Sequence, residues 1–212
     1  MRQSRGFSLV EMLVVMAILA IVLSVAVPAM SEYLDRRKII NAAEAIYGEL
    51  QLARAETISR SEEVHVRFAV DATDSSIWSI GVSTTAGCDP TITDVTDASA
   101  CVLVVDDGDG NIHGTDPDGD GTPVTDNDDR VLHVLQSTDF PGVRIEGVTF
   151  GGNQSSFDPR RGTADSSGSV TLEFTRGGNQ GVYEMRVILG MIGRVRICTP
   201  NNGNAVAGYT TC

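Results

Sequence analysis

The most distinctive chemical groups of the sequence are aspartates spaced two residues apart. The string Asp116-Pro117-Asp118-Gly119-Asp120-Gly121 places three carboxylates at alternate positions and a glycine in sixth place, which matches the first half of an EF-hand calcium loop. The second half departs from that pattern, because position twelve is Asn127 instead of a bidentate glutamate. Two interpretations stay open: a Ca²⁺ site at Asp116, Asp118 and Asp120, or a flexible acidic loop over 106–129.

Two arginines near the carboxyl end are placed for a different chemistry. Arg194 and Arg196 are two apart in a predicted strand, so both side chains point to one face, about 6.6 to 6.8 Å apart. Guanidinium groups at this spacing could grip successive phosphates of a nucleic acid. Residues 176–212 carry a surplus of three positive charges, although the whole chain has a net charge of −12. The alternative is that these arginines face solvent or pair with acids of neighbouring subunits.

Catalytic groups are poorly represented. The three histidines, His65, His113 and His133, show no zinc-ligand spacing, and the sequence has no nucleophile elbow or phosphate-binding loop. The pI near 4.5 argues against general nucleic-acid binding. The sequence therefore predicts a protein that is not an enzyme and requires no cofactor, with Ca²⁺ as a candidate ion.

A long apolar run near the amino terminus determines how the rest of the chain is placed relative to a membrane. From Leu9 to Val27 the only polar side chains are Glu11 and Ser24, and a helix of about 20 apolar residues is long enough to cross a bilayer core. We therefore expect residues 7–30 to span a membrane. Glu11 is unusual there, because a carboxylate in an apolar helix costs a few kcal/mol unless it is paired or interfacial.

Charge and periodicity define what lies on either side of this run. Basic residues precede it at Arg2 and Arg5 and are then absent until Arg36, which places the short amino terminus in the cytoplasm and the bulk of the chain outside. Over 31–60, apolar residues recur every three or four positions, so the helix continues as an amphipathic half. At 1.5 Å per residue, 7–60 predicts one helix about 80 Å long.

The string Arg5-Gly6-Phe7-Ser8-Leu9-Val10-Glu11 resembles the signal of type IV prepilins and of the pseudopilins of type II secretion systems. The resemblance implies that residues 1–6 are a leader, that a prepilin peptidase cuts between Gly6 and Phe7, and that Phe7 is then N-methylated. It also implies that Glu11 pairs with the terminal ammonium of a neighbouring subunit during filament assembly.

Three further strings resemble the GspH/FimT family of minor pilins and pseudopilins. Leu50 to Ile58 is similar to the end of that family's helix, Phe157 to Gly162 to its Phe-x-Pro-x-Gly turn, and Gly193 to Cys198 to its carboxy-terminal Gly-Arg-x-Arg strand. In FimT-like minor pilins of naturally transformable bacteria that strand contributes to DNA capture. The resemblance thus implies a DNA-binding role for Arg194 and Arg196.

After Ser59 the pattern changes from helical to alternating, which predicts a mostly antiparallel β head over 61–212. The fold class is therefore α+β, and the resemblance implies a type IV pilin-like fold in which the long helix packs on this head. The predicted strands are Val64–Val70, Ile77–Val82, Val102–Val105, Val131–Gln136, Val143–Phe150, Val170–Thr175, Val182–Leu189 and Arg194–Cys198.

The four cysteines all follow the apolar run, where an oxidising compartment favours disulfides. Three connectivities are open to four cysteines. Proximity in sequence favours Cys88 with Cys101 and Cys198 with Cys212.

Together these features predict a minor pilin or pseudopilin in the bacterial inner membrane, single-pass, with its head in the periplasm. The implied partners are other pilin subunits, the prepilin peptidase and the inner-membrane assembly platform. The expected role is in the priming or tip complex of a type IV pilus or a type II secretion pseudopilus. The alternative is a DNA-binding minor pilin that serves DNA uptake.

Overall fold

The computed structural model describes residues 9–104, 130–176, 183–202 and 204–212. Its contacts divide the chain into two units, Met1–Arg37 and Lys38–Cys212. A single α-helix, α1 (Leu9–Arg60), supplies residues to both units. The predicted long helix is thus confirmed from Leu9 onwards.

In the first unit, every described side chain from Leu9 to Met30 is exposed, including leucines, valines, isoleucines and methionines. Residues 7–30 were expected to span a membrane. Within the part of the chain that the structure describes, no helix was found to be long and apolar enough for such a span.

Among its described residues the second unit contains ten strands, and each pair of neighbouring strands there is antiparallel, in agreement with the predicted mostly antiparallel head. In chain order they are β1 (Val64–Val70), β2 (Trp78–Ser83), β3 (Val102–Val104), β4 (Arg130–Leu132), β5 (Val134–Gln136), β6 (Val143–Val148), β7 (Gln154–Phe157), β8 (Gly168–Phe174), β9 (Tyr183–Leu189) and β10 (Val195–Cys198). Sheet A has the order β5-β2-β1-β7, sheet D has the order β10-β9-β8-β6, and β3 and β4 form a separate two-stranded ribbon.

The core of the second unit lies against one face of α1. Helix residues at a spacing of three and four, among them Ile39, Ile46 and Leu50, are buried with the inward side chains of both four-stranded sheets. Trp78 of β2 joins the two sheets, because its indole N–H donates a 3.0 Å hydrogen bond to the carbonyl of Val143 on β6. It is only 3% exposed, so the single tryptophan is a core residue.

Both predicted disulfides are confirmed, since Cys88 is bonded to Cys101 and Cys198 to Cys212. The first lies on the outer face of sheet A against Gly81, where an added Cβ would overlap Sγ of Cys101. All six residues of β2 are consequently buried.

The prediction of one strand over Val131–Gln136 is wrong, because the chain changes sheets at His133. The N–H of His133 donates to the carbonyl of Cys101 beside the ribbon, and its own carbonyl accepts from the N–H of Val82 on β2. The two halves therefore pair with different neighbours, β4 with β3 and β5 with β2. The acidic stretch 106–129 that precedes them lies outside the described residues.

Candidate functional site

Arg194 and Arg196 lie at the β9–β10 hairpin, at one edge of sheet D. The strand begins at Val195, one residue later than predicted. Val195 is buried whereas both arginines are exposed, as expected for side chains that alternate along an extended segment. The two guanidinium groups are thus presented on the outer side of the sheet.

A groove of about 260 Å³ opens beside these arginines and is lined by Ile188, Gly190, Ile192, Arg194 and Arg196. Its walls combine aliphatic side chains with two positive charges. Met191 and Ile192, at the tip of the hairpin, are 54% and 69% exposed. The surface therefore offers apolar contacts directly beside the cationic ones.

The turn formed by Phe157 to Gly162, which the sequence had singled out separately, lies against the same hairpin. The N–H of Ala164 donates a 3.0 Å hydrogen bond to the carbonyl of Met191. Gly162 and Gly193 approach so closely that a Cβ on Gly193 would overlap the carbonyl oxygen of Gly162. Two motifs that are thirty residues apart in the chain are thus in direct contact.

This contact brings two further arginines to the hairpin. Arg160 and Arg161 precede Gly162 and both are exposed. Their backbone N–H groups each donate a 2.9 Å hydrogen bond to the carboxylate of Asp158, which fixes the turn. We call Arg160, Arg161, Arg194 and Arg196 the cationic surface.

Charge pairing distinguishes the cationic surface from two other arginines of sheet D. On β6, Arg144 lies 3.7 Å from Glu146, and on β9, Arg186 lies 3.7 Å from Glu184. For the four arginines of the cationic surface, no ion pair was found with any residue that the structure describes. Their charge is therefore not offset by an acid in that part of the chain.

The sequence reasoning missed Arg54 of α1, which sits between the two turns. Its Nη1 donates a 3.1 Å hydrogen bond to the carbonyl of Gly193, and its Nε lies close to both Gly162 and Gly193. Arg54 lies within Leu50 to Ile58, the segment that is similar to the end of the GspH/FimT helix, and its place in that segment was the available signal.

Sequence-predicted residues at the amino terminus are described only in part. Glu11 lies in the first turn of α1 and is exposed. Gly6 and Phe7 lie outside the described residues, and so do Asp116, Asp118 and Asp120. Among the residues that are described, no group of three histidines, cysteines or acids is arranged to hold a metal ion.

A second groove, of about 340 Å³, lies at the end of β2 and β5 on the opposite sheet. Its lining is mostly apolar, with Ile77 and Trp78 among the residues, and Asp71 is its titratable group. Hydrogen bonds from the hydroxyl and the N–H of Thr73 hold the pKa of Asp71 below its usual value, so this acid stays ionised. Among the described residues that line this groove, no second titratable group accompanies Asp71.

Two family models match this chain. Residues 1–27 match the prokaryotic N-terminal methylation motif, and residues 42–193 match the family described as type II transport protein GspH. A search of curated proteins found no match.

Two crystal structures of the type IV minor pilin FimU of Pseudomonas aeruginosa (strain PAO1) are similar to this chain. One has a TM-score of 0.44 at 13% identity, covering 81% of this chain and 98% of that one, and the other has 0.39 at 14%, covering 77% and 98%. Since the GspH match spans well over half of its residues, the chain belongs to the GspH family and carries the N-terminal methylation motif of pilin-like proteins.

Proposed function

We propose that the protein is a minor pilin or pseudopilin that is cut by a prepilin peptidase between Gly6 and Phe7 and then assembled into a filament. The observation that carries this proposal is the pair of family matches, a methylation motif over 1–27 followed by a GspH domain over 42–193. A chain with this organisation acts through assembly, and its family is that of structural subunits instead of enzymes.

The first unit supports the assembly step. Every described side chain from Leu9 to Met30 is exposed, so this part of α1 presents a large apolar surface. Such a surface suits the inner membrane before assembly and the packed helices of a filament afterwards. The family also indicates a membrane-anchored protein that faces the periplasm, which agrees with two disulfides in the second unit.

Glu11 has a specific role in this proposal. Its carboxylate lies in the first turn of α1, four residues after Phe7. Removal of the leader would create a terminal ammonium at Phe7, and the Glu11 of one subunit would pair with the ammonium of the next. An acid that is expensive in an apolar environment would thereby face an opposite charge in the assembled filament.

The experiment expresses the full chain in a bacterium with an active prepilin peptidase and measures the mass of the mature protein. We expect loss of Met1 to Gly6 and one added methyl group, and no processing in a Gly6→Val variant. Glu11→Gln should be processed normally but enter filaments poorly, whereas Glu62→Gln, at an exposed head position, should behave as the parent. A mature chain that still starts at Met1 would overturn the proposal.

The subunits with which the protein is recovered would distinguish a type IV pilus from a type II secretion pseudopilus. Cross-linking in the cell, followed by identification of the attached proteins, should give pilus subunits in one case and secretion pseudopilins in the other. We expect the partners to be other minor subunits, in a priming or tip complex. Recovery mainly with the major subunit along the whole filament would contradict a tip role.

A second candidate function is DNA binding, which the exposure of Arg194 and Arg196 beside a groove favours. Two phosphate contacts give only weak and salt-sensitive affinity per subunit, so several copies would have to act together. Replacing both arginines by glutamine should sharply reduce the retention of duplex DNA by the detergent-solubilised chain. Equal retention by the variant would refute this function.

A further inference from the structure

We infer that Arg160 and Arg161 are part of the same binding surface as Arg194 and Arg196, and that this four-arginine surface takes the phosphodiester backbone of a nucleic acid. The inference rests on the DNA-binding candidate function and extends its site from one hairpin to two adjoining turns. It follows from the contact between the turns, since nothing in the sequence relates the two arginine pairs.

The first step is that the two turns form one rigid support. The Ala164 N–H to Met191 carbonyl hydrogen bond ties them together at 3.0 Å. Gly162 and Gly193 both have positive φ, at 60° and 75°, so each turn is bent at the point of contact. Arg54 contacts both glycines from the helix side, which leaves the opposite side of the turns for a ligand.

The second step concerns charge. Segments 158–164 and 188–196 contain four arginines against one acid, Asp158, whose carboxylate is already engaged by two backbone N–H groups. The next acid, Asp165, is directed to β7, where it accepts hydrogen bonds from Ser155 and Ser156. In a chain of net charge −12, a local excess of three positive charges is a marked exception.

The third step concerns the chemistry of the ligand. Four exposed guanidinium groups without an acid partner in the described chain fit a ligand with regularly repeated negative charge, and Arg matches phosphate oxygens through paired N–H groups. Such contacts to exposed backbone phosphates do not depend on the base sequence. An acidic surface of a neighbouring subunit would use the same charges and is the competing outcome.

The test uses the full chain in detergent micelles and a fluorescent duplex DNA of mixed sequence. Four phosphate contacts predict that log K falls with log salt with a slope of about −3.6, against about −1.8 for two contacts. We therefore expect Arg160→Gln/Arg161→Gln to weaken binding about tenfold or more and to lower the slope by about 1.8. Arg160→Lys/Arg161→Lys should restore most of the affinity, because the charge is kept.

The matched control is Arg144→Gln/Arg176→Gln, which removes the same charge near the far end of sheet D. If only Arg194→Gln/Arg196→Gln weakens binding, the inference is overturned while the DNA function stands. If neither arginine pair affects DNA binding, the inference and the DNA function are both refuted. An acidic protein partner then becomes the better explanation of the surface. An equal loss in the matched control also overturns the inference, because binding would then follow net charge alone.

Discussion

Arg54 and Gly193 are joined by a 3.1 Å hydrogen bond from the guanidinium Nη1 to the carbonyl oxygen, across 139 residues of sequence. The contact links the end of α1 to the hairpin of the cationic surface. The Nε of Arg54 is buried and has no hydrogen-bond partner in the described structure, so the side chain is held mainly by the close fit of the two glycine turns around it.

We expect Arg54→Met to destabilise the second unit by about 1 to 3 kcal/mol, because the carbonyl of Gly193 loses its donor in a largely buried position. Urea unfolding followed by the fluorescence of Trp78 measures the change. Arg60→Met is the control, since Arg60 pairs with Glu56 one helical turn away and such pairs contribute about 0.3 to 0.5 kcal/mol. Equal losses in the two variants would contradict a special role for Arg54.

Gly81→Ala tests how closely the Cys88–Cys101 disulfide packs on sheet A. The added methyl would overlap Cys101 and lie 3.0 Å from Cβ of Pro90, so we expect a loss of about 1 to 3 kcal/mol. In a Cys88→Ser/Cys101→Ser background the loss should shrink, because the loop can move away. Gly48→Ala, in open space on α1, should instead be neutral or stabilising by up to about 1 kcal/mol.

Trp78→Phe should cost about 1 to 3 kcal/mol. The variant leaves the Val143 carbonyl without its indole donor and opens space beside Phe140, whose ring centroid is 5.8 Å away. Far-UV circular dichroism during urea titration measures the loss. The neighbouring Ile77→Val changes a side chain that is 58% exposed and should be nearly neutral. A Trp78→Phe variant as stable as the parent would show that the sheets are held together elsewhere.

Glu49 should make the stability of the second unit depend on pH. Burial raises the pKa of Glu49 above its ordinary value, and the charge of His133 partly opposes this. The protonated form is therefore favoured by folding, so its stabilising contribution is complete below the unfolded pKa and is lost as pH rises through the folded one. Glu49→Gln should thus gain stability over the parent at pH 7 and gain less at pH 4.

Urea midpoints of both chains at the two pH values measure this effect. Glu62→Gln, at an exposed site, serves as the control and should change little with pH. A Glu49→Gln advantage that is the same at pH 4 and pH 7 would contradict the proposed protonation.

Helices and strands whose pattern is contained in the local sequence were predicted well. The period of three and four on α1 and the alternation of β1 depend on each segment facing the core, and β1 was correct at both ends. β7 was missed because its residues Gln154, Ser155 and Ser156 are polar. Its serines are buried only because Asp165 and Glu63, from other parts of the chain, accept hydrogen bonds from their hydroxyl groups.

In the candidate site, too, the residues defined by local sequence could be predicted, whereas those that depend on distant contacts could not. Arg194 and Arg196 could be found from their spacing in a strand. The addition of Arg160 and Arg161 could not, because it depends on two glycine turns packing around Arg54 across long sequence distances. Likewise, the change of partner at His133 depends on backbone hydrogen bonds to Cys101 and Val82, which no property of the histidine itself indicates.

The burial of β2 on both faces has a consequence for biogenesis. One face is covered by the core, but the other is covered by the loop that Cys88 and Cys101 close. A newly translocated chain whose thiols are still reduced can lift that loop and uncover Ser79, Gly81 and Ser83. Resistance to proteolysis should therefore follow oxidation by the host's thiol oxidoreductases, and strains that lack them should degrade the subunit before it reaches a filament.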